Sequence, residues 1–280
     1  MKSYFDIAGD GGSRVLDQVA AQRRRIEGSL AGVRHLLAVG SGKGGVGKSM
    51  LCLGLARAFT ARGLVVAIFD ADLNGPSQAQ LAGIGPVPPV PGPQGLVPPR
   101  DAHGVRVVSL GSFLPPGESL EFESVSKGES HVWRASREFA ASGELLASVL
   151  WGELDLLLVD LPPGAERTFQ WAEFLGRQAA LVLVTLPSDL SRGVVARTVA
   201  ALGRTSNRVL GYVENMSGYC CPGCGEVRPL FERGEGAALE MPCLGSVPFE
   251  PGLGRAVDGP ATRAIRATAG RVLSALEGSA

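Results

Sequence analysis

Short apolar runs alternate along this chain with longer stretches in which apolar residues recur every three or four positions. Residues 36–39, 64–69, 105–110, 156–159, 180–186, 208–213 and 244–248 are the runs. Several are apolar throughout, as in Leu64-Val65-Val66-Ala67-Ile68-Phe69, which fits parallel strands buried on both faces. Residues 51–62, 132–150, 190–202 and 262–276 carry the helical spacing, and Gly63 stands at the C-cap position of the first of these. Residues 13–30 predict a further helix, with Val15, Val19 and Ile26 roughly on one side. It reads as a leader over residues 1–34 lying on a domain that occupies 35–280. Strands alternating with helices predict α/β architecture: a mostly parallel, doubly wound sheet of roughly seven strands with helices on both faces.

Two stretches break the alternation. Residues 83–100 hold seven of the nineteen prolines, which excludes a helix or a central strand and predicts an extended surface loop. Residues 117–128 are polar and read as a mobile loop open to ordering by a nucleotide. The last helix places Ile265, Ala269, Val272 and Leu276 on one stripe. Diluted by alanine and lacking Trp or Phe, that stripe suits packing against the sheet rather than stable membrane association.

Charge is balanced, with 27 basic and 27 acidic residues, so no nucleic-acid partner is expected. No apolar run approaches the ~18 residues of a membrane span. Met1-Lys2-Ser3-Tyr4-Phe5-Asp6 lacks the apolar core of a signal peptide, which predicts a cytoplasmic protein. Its five cysteines are then expected to be thiols or metal ligands rather than disulfides.

The candidate chemistry begins where the first strand ends. Gly42-Lys43-Gly44-Gly45-Val46-Gly47-Lys48-Ser49 fits G-x-x-x-x-G-K-[ST] between a strand and a helix, the phosphate-binding P-loop. Its glycines let backbone N–H groups turn towards phosphate oxygens, and the helix N-terminus adds its positive end. Lys48 is placed to reach the β- and γ-phosphates of ATP, and the Ser49 hydroxyl to ligate Mg²⁺. The 64–69 run delivers Asp70 and Asp72 at its C-terminal end, where ligands of open α/β sheets bind. Asp160 follows Leu156-Leu157-Leu158-Val159 in the Walker B arrangement, predicting a carboxylate that holds Mg²⁺ through water.

Lys43 narrows the class. The form GKGGVGKS resembles the deviant P-loop of the MinD/ParA/nitrogenase-iron-protein ATPases, and the resemblance implies that Lys43 crosses a homodimer interface to the partner's nucleotide. D-A-D-x-x-G-P-S at 70–77 and WGELDLLLVDLPPG at 151–164 are similar to the Mrp/ApbC iron–sulfur carrier ATPases. By that similarity Asp72 orients the attacking water and Asp70 lies near the Mg²⁺ shell. Glu214-Asn215-Met216-Ser217 also resembles the carriers, and related ATPases use such an asparagine on the adenine edge.

Cys221-Pro222-Gly223-Cys224 is a C-x-x-C pair on a glycine-rich turn. Alone it fits half a zinc site, a redox dithiol or half an iron–sulfur site. Cys220 or Cys243 could complete zinc within one chain, although Cys220 adjoins Cys221, and Cys243 and Cys52 read as core residues. The placement after E-N-M-S resembles the cluster motif of the Mrp/ApbC carriers. That resemblance implies a 4Fe–4S cluster shared across a two-fold dimer, two thiolates from each chain, for delivery to apo-proteins.

Three features depart from the family pattern. Met50 replaces a threonine, Ala165-Glu166-Arg167 replaces Thr-Gly-Asp, and Pro187-Ser188-Asp189-Leu190-Ser191-Arg192 lacks the usual Gln-Asp-Val-Ala. Residues 1–34 resemble neither the small domain nor the four-cysteine leader of some carriers, so neither is expected here. A specialised carrier with slow ATP turnover is the expectation, and a MinD/ParA-like positioning or partition switch, or a zinc-binding P-loop ATPase, is the competing one.

Overall fold

The apolar runs pair in parallel. A computed structural model of the chain describes residues 15–113, 131–231, 239–251 and 258–278. Strands β1 (Val33–Ser41), β2 (Val66–Asp70), β5 (Arg106–Ser109), β6 (Leu154–Asp160), β7 (Ala179–Thr185), β8 (Arg208–Cys220) and β10 (Cys243–Phe249) lie in the order β10-β8-β7-β1-β6-β2-β5. All six pairings along that path are parallel. The short β9 (Val227–Pro229) adds antiparallel to the end of β8 as an eighth strand.

Side-chain alternation explains the polar-free runs. In β1, Leu37 and Val39 face one core while Leu36 and Ala38 face the other, and β7 divides in the same way. The first core is closed by α2 (Lys48–Thr60) and α7 (Pro260–Glu277). On the opposite face lie α4 (His131–Ser148), α5 (Ala165–Leu175) and α6 (Asp189–Leu202). The predicted stripe of α7 is the buried one: Ile265, Ala269, Val272 and Leu276 all sit in the first core. Among the described residues no helix is long and apolar enough to cross a membrane.

On the face that carries α4, α5 and α6, α1 (Val15–Ser29) adds Ile26 to the second core and lies against α4 through Arg25–Glu144 and a bond from Gln22 to the Ala140 carbonyl. The proline-rich stretch stays out of the main sheet, as its missing N–H groups require. It nonetheless forms a small antiparallel hairpin, β3 (Val90–Gly92) with β4 (Gly95–Val97), where a plain loop is expected. The polar segment 117–128 lies outside the described residues. Helix α5 was not visible as a periodic stretch, and the strand at 208–213 continues seven residues further, to Cys220. Cys243 reads as a core residue in the sequence, but the structure exposes it on the edge strand β10.

Candidate nucleotide site and cysteine hairpin

The C-terminal ends of β1, β2 and β6 converge on the P-loop. Helix α2 starts at Lys48 with Gly47 in the left-handed region (φ 76°) and no side-chain cap, so its first amides remain directed at the loop. A Cβ at Gly47 would collide with the Asn215 amide, so close approach as well as φ requires glycine there. Asn215 is buried and its Nδ2 donates to the Val46 carbonyl at 2.9 Å. In this structure that amide therefore holds the P-loop backbone. Ser41 Oγ donates to the Lys43 carbonyl (3.0 Å), while the Lys43 side chain is half-buried.

Lys48, Ser49 and Asp160 form one cluster. The Lys48 ammonium donates to Asp160 Oδ1 and lies 3.3 Å from Ser49 Oγ, with Lys48 only 7% and Asp160 0% exposed. A cation thus already bridges the serine hydroxyl and the Walker B carboxylate. Those hard oxygen donors around a buried positive charge are the set that suits Mg²⁺.

Asp70 is the register partner of Asp160 in the β2–β6 pair and is fully buried. Its Oδ2 accepts from the Ser77 and Gln78 amides (2.9 and 3.0 Å) and from Ser109 Oγ (2.9 Å), and its Oδ1 from the Asp72 amide (3.2 Å). Burial, and then the Asp160 charge, push its pKa up to about 7, against the pull of those donors. Asp70 thereby clamps both ends of the loop 71–78. Asp72 is half-buried within that loop and accepts from the Gly75 amide at 3.2 Å.

Two side chains here escaped the sequence reading. Gln78 is fully buried and donates through Nε2 to Asp160 Oδ2 (2.7 Å) and to the Ser49 carbonyl (3.0 Å). Glu138 on α4, 6% exposed, accepts from Asn74 (3.1 Å) and pairs with Arg167 (2.7 Å). It links the loop after Asp70 to the helix after Asp160. Arg167 drew notice only as a departure from a family pattern; nothing local announced its partner on α4. Arg192, from another departing stretch, pairs with Glu214 at 3.0 Å.

Cys221 and Cys224 lie away from this cluster, on the turn between β8 and β9. The Cys221 amide bonds the Glu226 carbonyl, and the Gly225 amide bonds the Cys221 carbonyl, which closes the turn. The backbone amides of Cys224 and Gly223, and the Cys224 thiol, hold the Cys221 thiol below its usual pKa. Cys224 is exposed. Cys220 behaves oppositely: it is buried, desolvation raises its pKa, and its Sγ faces the Gly225 carbonyl at 3.8 Å. Cys243 pairs in register with Tyr212, nine residues before Cys221 along β8, on the order of 30 Å away at ~3.3 Å per residue. Neither is placed to join the pair, and among the described residues no group of three or more Cys, His, Asp or Glu could hold a metal. Stacked Tyr219 and Phe249 (6.3 Å) and exposed Val227 and Leu230 flank the turn.

A parallel sheet with a glycine-rich strand-to-helix loop, its lysine on a Walker B carboxylate, defines a P-loop NTPase. The chain belongs to the family described as ParA: NUBPL iron-transfer P-loop NTPase, whose pattern it matches over residues 32–276. It is 39% identical over 243 residues to human cytosolic Fe-S cluster assembly factor NUBP2, covering 82% of this chain and 85% of that one. With the iron-sulfur cluster carrier protein of Saccharolobus solfataricus it shares 32% identity over 250 residues, 88% of this chain and 81% of the relative. A nucleotide-binding protein from Archaeoglobus fulgidus, solved in complex with ADP, superposes with a TM-score of 0.65 at 29% identity, over 89% of this chain and 92% of its own. The chain is thus a member of a P-loop NTPase family whose named relatives include an iron–sulfur cluster assembly factor and an iron–sulfur cluster carrier.

Proposed function

We propose that this chain binds ATP in the P-loop of a domain spanning 35–280, behind a leader of 34 residues. It hydrolyses the nucleotide slowly, and as a homodimer in the cytoplasm it carries a 4Fe–4S cluster to apo-proteins. Cys221 and Cys224 of each copy ligate that cargo. The reading is carried by the hairpin geometry: two thiols on one turn, one with a lowered pKa, while Cys220 and Cys243 are held elsewhere. A cluster wants four thiolates, so a second copy supplies the other two.

At the nucleotide end, Gly42, Gly44, Gly45, Val46 and Gly47 offer backbone amides, and Lys48 exchanges Asp160 for the β- and γ-phosphates. Lys43 reaches the partner's nucleotide, and Asp72 orients the attacking water. Asn215, already beside Val46, borders the adenine. Mg²⁺ would be held by Ser49 and, directly or through water, by Asp160 and Asp70; when bound it neutralises charge on the β- and γ-phosphates. The loops anchored by Asp70 and Arg167 give nucleotide occupancy a route to the dimer arrangement.

Anaerobic reconstitution tests the reading. Iron and sulfide near four each per dimer are expected, with charge-transfer absorbance that is lost in C221S/C224S. A strict monomer holding no iron or sulfide with or without ATP overturns it. Zinc without sulfide would make it a zinc-binding ATPase, and nucleotide-driven dimers without metal a positioning switch.

A further inference from the structure

Gln78 carries a buried polar atom that nothing among the described residues satisfies. The residue is fully buried, yet its Oε1 has no hydrogen-bond partner among the described residues. Such an atom is unfavourable unless a ligand or a water supplies a donor. Its orientation is fixed by the other end of the amide. Nε2 faces two acceptors, Asp160 Oδ2 at 2.7 Å and the Ser49 carbonyl at 3.0 Å. Flipping the amide would set Oε1 against both. The side chain is also not needed to close its own turn, because the Gln78 backbone N–H, not the amide, bonds Asp70.

Gln78 therefore touches both elements that would hold the metal, Ser49 and Asp160, and leaves one acceptor unpaired beside them. We propose that Gln78 is a positioning residue of the Mg²⁺ site. Its Nε2 keeps the Asp160 carboxylate oriented after Lys48 has moved to the phosphates. Its Oε1 accepts a hydrogen bond from a water of the metal's shell. Octahedral Mg²⁺ usually retains several waters, and an acceptor one amide away from the Walker B carboxylate suits one of them. This inference rests on the Mg²⁺–nucleotide reading above.

The test compares ADP affinity with and without Mg²⁺, by calorimetry, in the full-length protein. Two variants are used: Q78M, which keeps the buried volume, and Q78N, which withdraws the amide by one methylene. The wild type should bind ADP more tightly with Mg²⁺. Both variants should lose about tenfold of that gain, the scale of a hydrogen bond to a charged group, and bind metal-free ADP within twofold of wild type. A folded variant that keeps the full Mg²⁺ gain overturns the proposal. So does an equal loss with and without Mg²⁺, which would mark Gln78 as structural only. If the wild type itself gains nothing from Mg²⁺, the metal assignment fails first.

Discussion

Strand β8 joins two regions built on opposite principles. Near its middle, Asn215 sits against a cluster in which Lys48, Asp70, Gln78 and Asp160 are all nearly or fully buried and tied to one another. At its end, Cys221 and Cys224 stand on a turn closed by its own backbone hydrogen bonds, beside exposed Tyr219 and Val227. Burial fixes the first region before any ligand arrives, and a charge removed there leaves another stranded in low dielectric. The second region is cheap to alter because the fold does not depend on it. Nucleotide chemistry needs preorganised charges, whereas a thiolate pair in the proposed role of giving up a cargo needs access.

The largest effect should follow Lys48→Ala. It removes the proposed phosphate ligand and strands Asp160, which is 0% exposed. ADP and ATP affinity should fall at least ~100-fold, the scale of several kcal/mol of lost charge-assisted bonding. Urea denaturation should show a loss of about 3–5 kcal/mol, the usual cost of breaking a buried ion pair from one side. Unchanged ADP affinity would remove the P-loop assignment.

Arg167→Ala should cost less. Among the described residues Glu138 would keep only the Asn74 bond, while the departing arginine is itself 29% exposed. A loss of about 1–3 kcal/mol in urea is expected. Changing Glu138 to Gln in that background should recover part of it, since an amide tolerates burial without a counter-charge. No recovery would mean that the ion pair does not matter to the link between the two loops.

The sheet and its helices were legible because a two-faced parallel strand must be apolar throughout, and Leu64-Val65-Val66-Ala67-Ile68-Phe69 is. The P-loop was legible for a similar reason: its glycine and lysine positions are fixed by backbone geometry close in sequence. What stayed hidden depends on long-range contact. Gln78 meets Asp160 across 82 positions, and Arg167 meets Glu138 on a different helix. Cys243 misled because an apolar run does not tell a central strand from an edge strand; β10 is the edge. The full length of β8 was missed because Glu214-Asn215-Met216-Ser217 reads as a polar end, although the strand carries that stretch through to Cys220.

Asp70 gives the buried region a pH signature. Its pKa of about 7 against an ordinary 3.8 means the folded protein holds the proton more tightly than the unfolded chain. Stability from this group is fully present below about pH 4 and is lost as pH rises through about 7. In metal-free protein, wild type should lose more stability between pH 5 and pH 8 than Asp70→Asn, measured by urea denaturation at each pH. Equal losses would show that Asp70 is ionised throughout.

The smallest effect on the fold should come from the cysteine turn, and it separates neighbouring residues. The double change of Cys221 and Cys224 to serine should alter stability by less than about 0.5 kcal/mol, because an exposed thiol and a half-buried one lose only local contacts. ADP affinity should stay within about twofold while cluster absorbance disappears, since sites so far apart with no shared partner are expected to be independent. Cys220→Ser, one position away, should cost more, on the order of 1 kcal/mol, because that side chain is 4% exposed and a hydroxyl there needs a partner. If the double serine variant weakened ADP binding in metal-free protein, β8 would be transmitting strain from the turn to Asn215 with no cargo bound. The two regions would then be one mechanical unit rather than two joined by a rod.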